Sequence, residues 1–162
     1  MSTVASSIDA KAYLNAWLEV VTGMTVADLN HIPDDQWTAC HGGCARPANS
    51  LMADTVTMLR WMVDTLEGNE STAYHQMEAL TAEYADKSAA IAGLQAASAS
   101  FGQALMAASD EKLNSTVAAP WDMPTPVFML AQIAVSHIWY HDGQLNYIQA
   151  LLGDGKVHWM GD

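Results

Sequence analysis

Two histidines stand four residues apart in the stretch SHIWYHDGQLNYIQALLGD, residues 136–154. On a helix, His137 and His141 share one face with Cβ atoms about 6 Å apart, so both imidazoles can converge on a single metal ion. Neutral imidazole nitrogen suits Zn, Ni, Fe or Cu. Burying two imidazoles costs free energy unless their nitrogens find partners, and a metal satisfies one nitrogen of each. The other nitrogen needs an acceptor outside the coordination sphere, which Gln144, three residues beyond His141, can offer. For an isolated pair at this spacing, two core-edge histidines bonded to backbone or water are the plainer reading.

A second cluster is CHGGC, residues 40–44. Cys40 and Cys44 do not have zinc-ribbon spacing, and no second cysteine pair completes one. Buried, reduced thiols are the plain reading. The functional one is that the glycines bring the loop close to the end of a bundle, so that His41 or a cysteine joins a site there. His31 reads as an exposed turn residue and His75 as a surface residue. His158 reads as packed with Trp159 against the body of the protein, and Asp142 as solvated. Ten methionines and six tryptophans mostly fall at core spacing, and a soft cavity lined by them could hold a ligand.

The elements that must position these groups read as helices punctuated by Gly and Pro. The first runs over 8–22, with Ser7 as its N-cap and Gly23 as its stop. A long irregular stretch follows over 24–46. The second helix runs from Pro47 to Gly68 with Leu51, Thr55, Leu59, Met62 and Leu66 on one face. A short helix over 72–86 and a long one over 88–108 come next, then a connector. The last helix covers 125–152. Leu130, Ile133, Ala134, His137, His141, Gln144, Leu145, Ile148 and Leu152 fall on one of its faces. Phe128, Val135 and Trp139 lie on the other, so this helix is expected to be buried on two sides, against another subunit or against the chain's own loop or short helix. No alternating pattern of useful length signals a strand. Four substantial helices, each with an apolar stripe, predict an all-α antiparallel bundle in one domain spanning 1–162.

The chain has 162 residues, 51% of them hydrophobic, which supplies a core of useful size. Eighteen acids against six bases leave a net charge of −12. Such a chain repels phosphate backbones and anionic lipid, which argues against nucleic acid and membrane partners and favours a bound cation. The start, MSTVASSIDAK, has no apolar core of signal-peptide length, and no apolar run is long enough to span a bilayer. The expected compartment is the cytoplasm.

HIWYHDGQLNYIQALLGD resembles the C-terminal helix of the DinB/YfiT-like superfamily, in which His-x3-His is followed by Gly-Gln-Leu and a Leu-Leu-Gly ending. Here these are His137, His141, Gly143, Gln144, Leu145, Leu151, Leu152 and Gly153. The preceding APWDMPTPVFMLAQIAVSH is also similar to that family's lead-in. The resemblance is specific over the C-terminal third and compatible elsewhere. It implies a four-helix bundle with up-down-down-up topology, often a homodimer. It also implies a divalent metal, commonly Zn or Ni, held by three histidines, the third from the second helix. Relatives include S-transferases and isomerases that use a low-molecular-weight thiol, and many members have no known activity.

This chain departs from that pattern, because residues 47–68 contain no histidine. Aligning the apolar pattern places Asp54 at the ligand position. Asp54 then completes a two-histidine, one-carboxylate set suited to Fe, Mn or Zn. Alternatively His41 or a loop cysteine is the third ligand, or the site has lost its metal. The functional expectation is a metal-dependent transferase, hydrolase or isomerase acting on a small-molecule substrate. The competing one is a non-catalytic homodimeric bundle holding a small apolar ligand.

Overall fold

The computed structural model describes residues 8–160. The chain is mostly helical: α1 (Ala10–His31), α2 (Ala48–Glu67), α3 (Met77–Glu83), α4 (Lys87–Ala107), α5 (Asp110–Asn114) and α6 (Val127–Leu151). Two short strands, β1 (Thr116–Ala118) and β2 (Pro124–Pro126), pair antiparallel with Val117 opposite Thr125. The expectation of no strand is corrected by this small ladder. It turns through Asp122 at φ 61° and leads directly into α6.

The first helix does not stop at Gly23. A glycine inside a helix costs about 1 kcal/mol relative to alanine. Continuing the helix buries Leu29 completely and delivers Ile32 to the core, each worth roughly 1.5–3 kcal/mol, so continuation wins. Asp9 caps the helix by accepting from the backbone N–H groups of Lys11 and Ala12. Ser7, the expected cap, lies outside the described residues. The irregular stretch therefore shrinks to about 32–47 and contains one 3-10 turn, Asp34–Gln36.

The second helix forms as its sequence dictates. Pro47 precedes it, and Gly68 closes it in the left-handed region at φ 81°, donating its N–H to the carbonyls of Asp64 and Thr65. Leu51, Thr55, Leu59, Met62 and Leu66 are all buried. A 3-10 turn, Ala73–Gln76, leads into α3, so the short helix expected over 72–86 is split in two.

The four long helices pack side by side, with α1 and α2 each against both α4 and α6. Lys11 at the start of α1 bonds the Ala108 carbonyl after α4, and Lys87 at the start of α4 bonds the Ile32 carbonyl after α1, so these two run in opposite directions. Gln149 and Asn146 near the end of α6 bond Asp28 near the end of α1, so α1 and α6 run in the same direction.

The α1–α6 contact contains a buried polar seam. Asn146 Nδ2 donates to Asp28 Oδ2 (2.8 Å) and to the Asp142 carbonyl (2.9 Å). Gln149 Nε2 donates to the Asp28 carbonyl at 2.7 Å. Asp142 is only 3% exposed, which corrects its reading as a solvated acid. Burial and the Asp28 carboxylate push its carboxyl up to about 7, against the pull of the Thr25 hydroxyl. The second apolar side of α6 is thus covered largely by α1, not by the loop or short helix. Trp139 stays partly exposed, with its ring 5.8 Å from that of Trp17 and 6.2 Å from that of Trp159. No helix among the described residues is long and apolar enough to cross a membrane.

Candidate metal centre

Helix α6 presents His137 and His141 one turn apart, and α2 presents Asp54 opposite them. His141 Nε2 lies 3.0 Å from His137 Nε2 and 3.3 Å from Asp54 Oδ2. His137 Nε2 lies 4.0 Å from the same oxygen. Around a tetrahedral ion with ligand bonds of 2.0–2.1 Å, neighbouring donors sit about 3.3 Å apart. The three donor atoms bracket that spacing, and the group could hold a metal ion.

Hydrogen bonding fixes which atoms face the centre. Gln144 Nε2 donates to Tyr140 Oη (3.2 Å), leaving Gln144 Oε1 to accept from His141 Nδ1 at 2.6 Å. His141 therefore carries its proton on Nδ1, and the Nε2 lone pair points at Asp54 and His137. His137 Nδ1 is buried without a hydrogen-bond partner among the described residues. A carboxylate oxygen and an imidazole lone pair face each other at hydrogen-bond distance, an arrangement that calls for a positive charge between them.

Electrostatics sets the same protonation states. Burial, reinforced by the neighbouring His141, lowers His137 to about 4, so its ring is neutral near pH 7. Burial raises the Asp54 carboxyl, but the adjoining histidines and the hydrogen bond donated by the Arg46 guanidinium outweigh it. The net result is a carboxylate held well below the usual range. Both are the ionisation states a metal ligand needs.

Asp54 is half-buried, its side chain 18% exposed, and so is not the solvated helix acid that its position on the edge of the stripe allows. His141 is buried and His137 sits at the rim. His41 is not part of this group. Its Nε2 is buried without a partner among the described residues. Cys40 and Cys44 are exposed free thiols, which corrects their reading as buried. Cys44 nevertheless lines a cleft of about 300 Å³ beside the centre. His75 is exposed. His31 is exposed but ends α1 rather than lying in a turn, and its ring stacks on that of His158 at 3.5 Å. A larger cavity, about 650 Å³ between α1 and α4, includes Leu18, Val26, Ala99, Gly102 and Met106. It is not the methionine- and tryptophan-lined cavity expected.

Arg46 escaped the sequence reading. Its Nη1 donates to Asp54 Oδ2 at 2.7 Å, while Nε and Nη2 hold Ser50. The available signal was its isolation, as the one base between Lys11 and Arg60 and eight residues before Asp54. Tyr74 was missed too. Burial and the Asp54 charge push its phenol up to about 12, so it stays protonated beside the centre.

No family model matches the sequence, and no curated protein does. Solved structures share the fold, among them the following two. The crystal structure of a conserved protein from Enterococcus faecalis superposes with a TM-score of 0.74 at 16% identity, over 91% of this chain and 100% of that one. The crystal structure of the mycothiol-dependent maleylpyruvate isomerase superposes with a TM-score of 0.66 at 13% identity, over 90% of this chain. This chain spans 63% of that isomerase's length. The chain thus combines a mostly helical fold with an Asp/His/His group that could hold a metal ion.

Proposed function

We propose that this chain is a DinB-like bundle of up-down-down-up topology and a divalent-metal-dependent enzyme acting on a small molecule. The opposed directions of α1 and α4 and the shared direction of α1 and α6 support the topology. The metal is Zn, Ni or Fe, held by His137, His141 and Asp54 with Gln144 behind His141. The observation that carries the reading is the convergence of two Nε2 atoms and one carboxylate oxygen within 4.8 Å of one another.

When bound, a divalent ion supplies Lewis acidity, which makes a nucleophile of a weak acid such as a thiol at neutral pH. The chain's own residues do the rest. Gln144 holds His141 in the Nδ1–H tautomer, Asp54 supplies one negative charge, and Arg46 steadies that carboxylate. Transfer, isomerisation and hydrolysis are all open to such a site. The fold shared with a mycothiol-dependent isomerase favours a low-molecular-weight thiol as cosubstrate. The cytoplasm, where exposed Cys40 and Cys44 stay reduced, is the compartment we propose.

Elemental analysis tests this reading. Wild type carries stoichiometric metal, the His137→Ala/His141→Ala double variant carries none, and Asp54→Ala binds at least tenfold more weakly. Metal-free wild type whose melting temperature does not move on adding Zn, Ni or Fe overturns it, since a ligand of the native state must stabilise by mass action. That result favours the second reading, a non-catalytic homodimer. For that reading the supporting observation is the large cavity between α1 and α4, lined by none of His137, His141 and Asp54, which would take a small apolar ligand.

A further inference from the structure

The cleft beside the metal centre has one cationic wall. It is lined by Cys44, Arg46, Leu51, Gln144, Tyr147 and Ile148, and its volume of about 300 Å³ is at the small end for ligand sites. Leu51 and Ile148 are buried and give it an apolar floor. Gln144 joins it to the centre through the bond to His141.

Arg46 is fixed rather than loose. Its Nε and Nη2 bond Ser50, and Nη1 bonds Asp54. Among the described residues Nη1 makes that one bond, so its second N–H is free. The side chain is 41% exposed. Tyr147, also exposed, brings a phenol to the same cleft.

The charge pattern singles this place out. Across the chain, eighteen acids and six bases repel anions. At the mouth, Arg46 already balances Asp54. A divalent ion held by His137, His141 and Asp54 would add positive charge next to Arg46 and Gln144, which bond Asp54 and His141 and line the cleft. A guanidinium pairs strongly and directionally with a carboxylate.

We infer that this cleft is a subsite for the carboxylate of a small aliphatic acid, with Arg46 Nη1 as its donor and Leu51 and Ile148 as the seat of its apolar stem. The inference rests on the metal-centre reading and names the substrate class of that site.

The test uses Zn-loaded protein and two matched probes, 4-methylpentanoate and 4-methylpentanamide, titrated by NMR. Zn content is measured on every sample by elemental analysis. The acid binds wild type at least tenfold more tightly than the amide. Arg46→Gln, with one Zn retained, loses at least tenfold for the acid and little for the amide. Arg46→Lys keeps the charge but not the fork and falls between. If Arg46→Gln does not retain Zn, Arg46→Lys decides alone, by binding the acid at least threefold more weakly than wild type. Equal binding of acid and amide, or acid binding unchanged in the Zn-loaded Arg46 variants, overturns the subsite and leaves the metal centre standing. Wild type that takes up no Zn overturns both.

Discussion

His141 Nδ1 donates to Gln144 Oε1 across 2.6 Å, and that bond decides which nitrogen of His141 is free to face Asp54. Gln144→Leu removes the acceptor and leaves a buried N–H without a partner. Metal affinity, measured by competition with a coloured chelator, is expected to fall about 10- to 100-fold, as losses behind a ligand typically do. Gln144→Glu keeps an acceptor and retains most of the affinity. Equal affinity in the leucine variant would show that the amide does not orient the ring.

Asp142 has a folded-state pKa raised to about 7 by burial and by Asp28. Its unfolded value is about 3.9. Between these values the folded chain binds the extra proton, so stability falls as pH rises through this window. Asp142→Asn removes the charge and keeps a hydrogen-bonding group of the same shape. In chelator-treated protein, the variant is expected to melt higher than wild type at pH 8 and to show a flatter profile between pH 5 and 8. A variant that melts lower than wild type at pH 8 would show that the charged seam is stabilising.

Tyr13, Trp17 and Val20 form an exposed uncharged stripe on α1, continuous with Trp139 and Trp159. We propose that this surface joins two copies of the chain. Trp139→Glu places a charge in its middle and should convert dimers to monomers on a sizing column. Wild type eluting as a monomer removes the idea.

Gly93 faces Tyr84. A Cβ at position 93 would fall 1.8 Å from the Tyr84 hydroxyl. Tyr84 is buried, and its carbonyl accepts from Trp37 Nε1 at 2.7 Å, so it has little room to retreat. Gly93→Ala should therefore cost about 1–3 kcal/mol of stability, the usual penalty of overpacking. Tyr84→Phe in the same chain removes the clashing oxygen and should recover part of the loss in denaturant melts.

The sequence made much of this arrangement legible through spacing. The stripe of α2 is buried residue for residue, because a 3.6-residue period and a left-handed glycine stop are local properties. His137, His141 and Gln144 were readable for the same reason, being one, two and three turns of a single helix face. Asp54 became visible only when α2 was aligned with a family pattern, since nothing in its neighbours says which helix it meets. Arg46 left only the faint signal of its isolation, and Tyr74 and the burial of Asp142 left none. Each depends on partners brought by folding, as Asn146 and Asp28 show at 118 residues apart in the chain. The extension of α1 past Gly23 was missed because a one-residue helix penalty is visible in sequence while the core that repays it is not.

The polar seam between α1 and α6 also acts as an index mark. Apolar ridges tolerate sliding by a turn, since one leucine replaces another. Asn146 and Gln149 reach Asp28 in one setting only, and a slip of 5.4 Å would strand two acids and two amides against hydrocarbon. That notch holds α6 at a single height, and with it the level at which its imidazoles meet the carboxylate across the bundle.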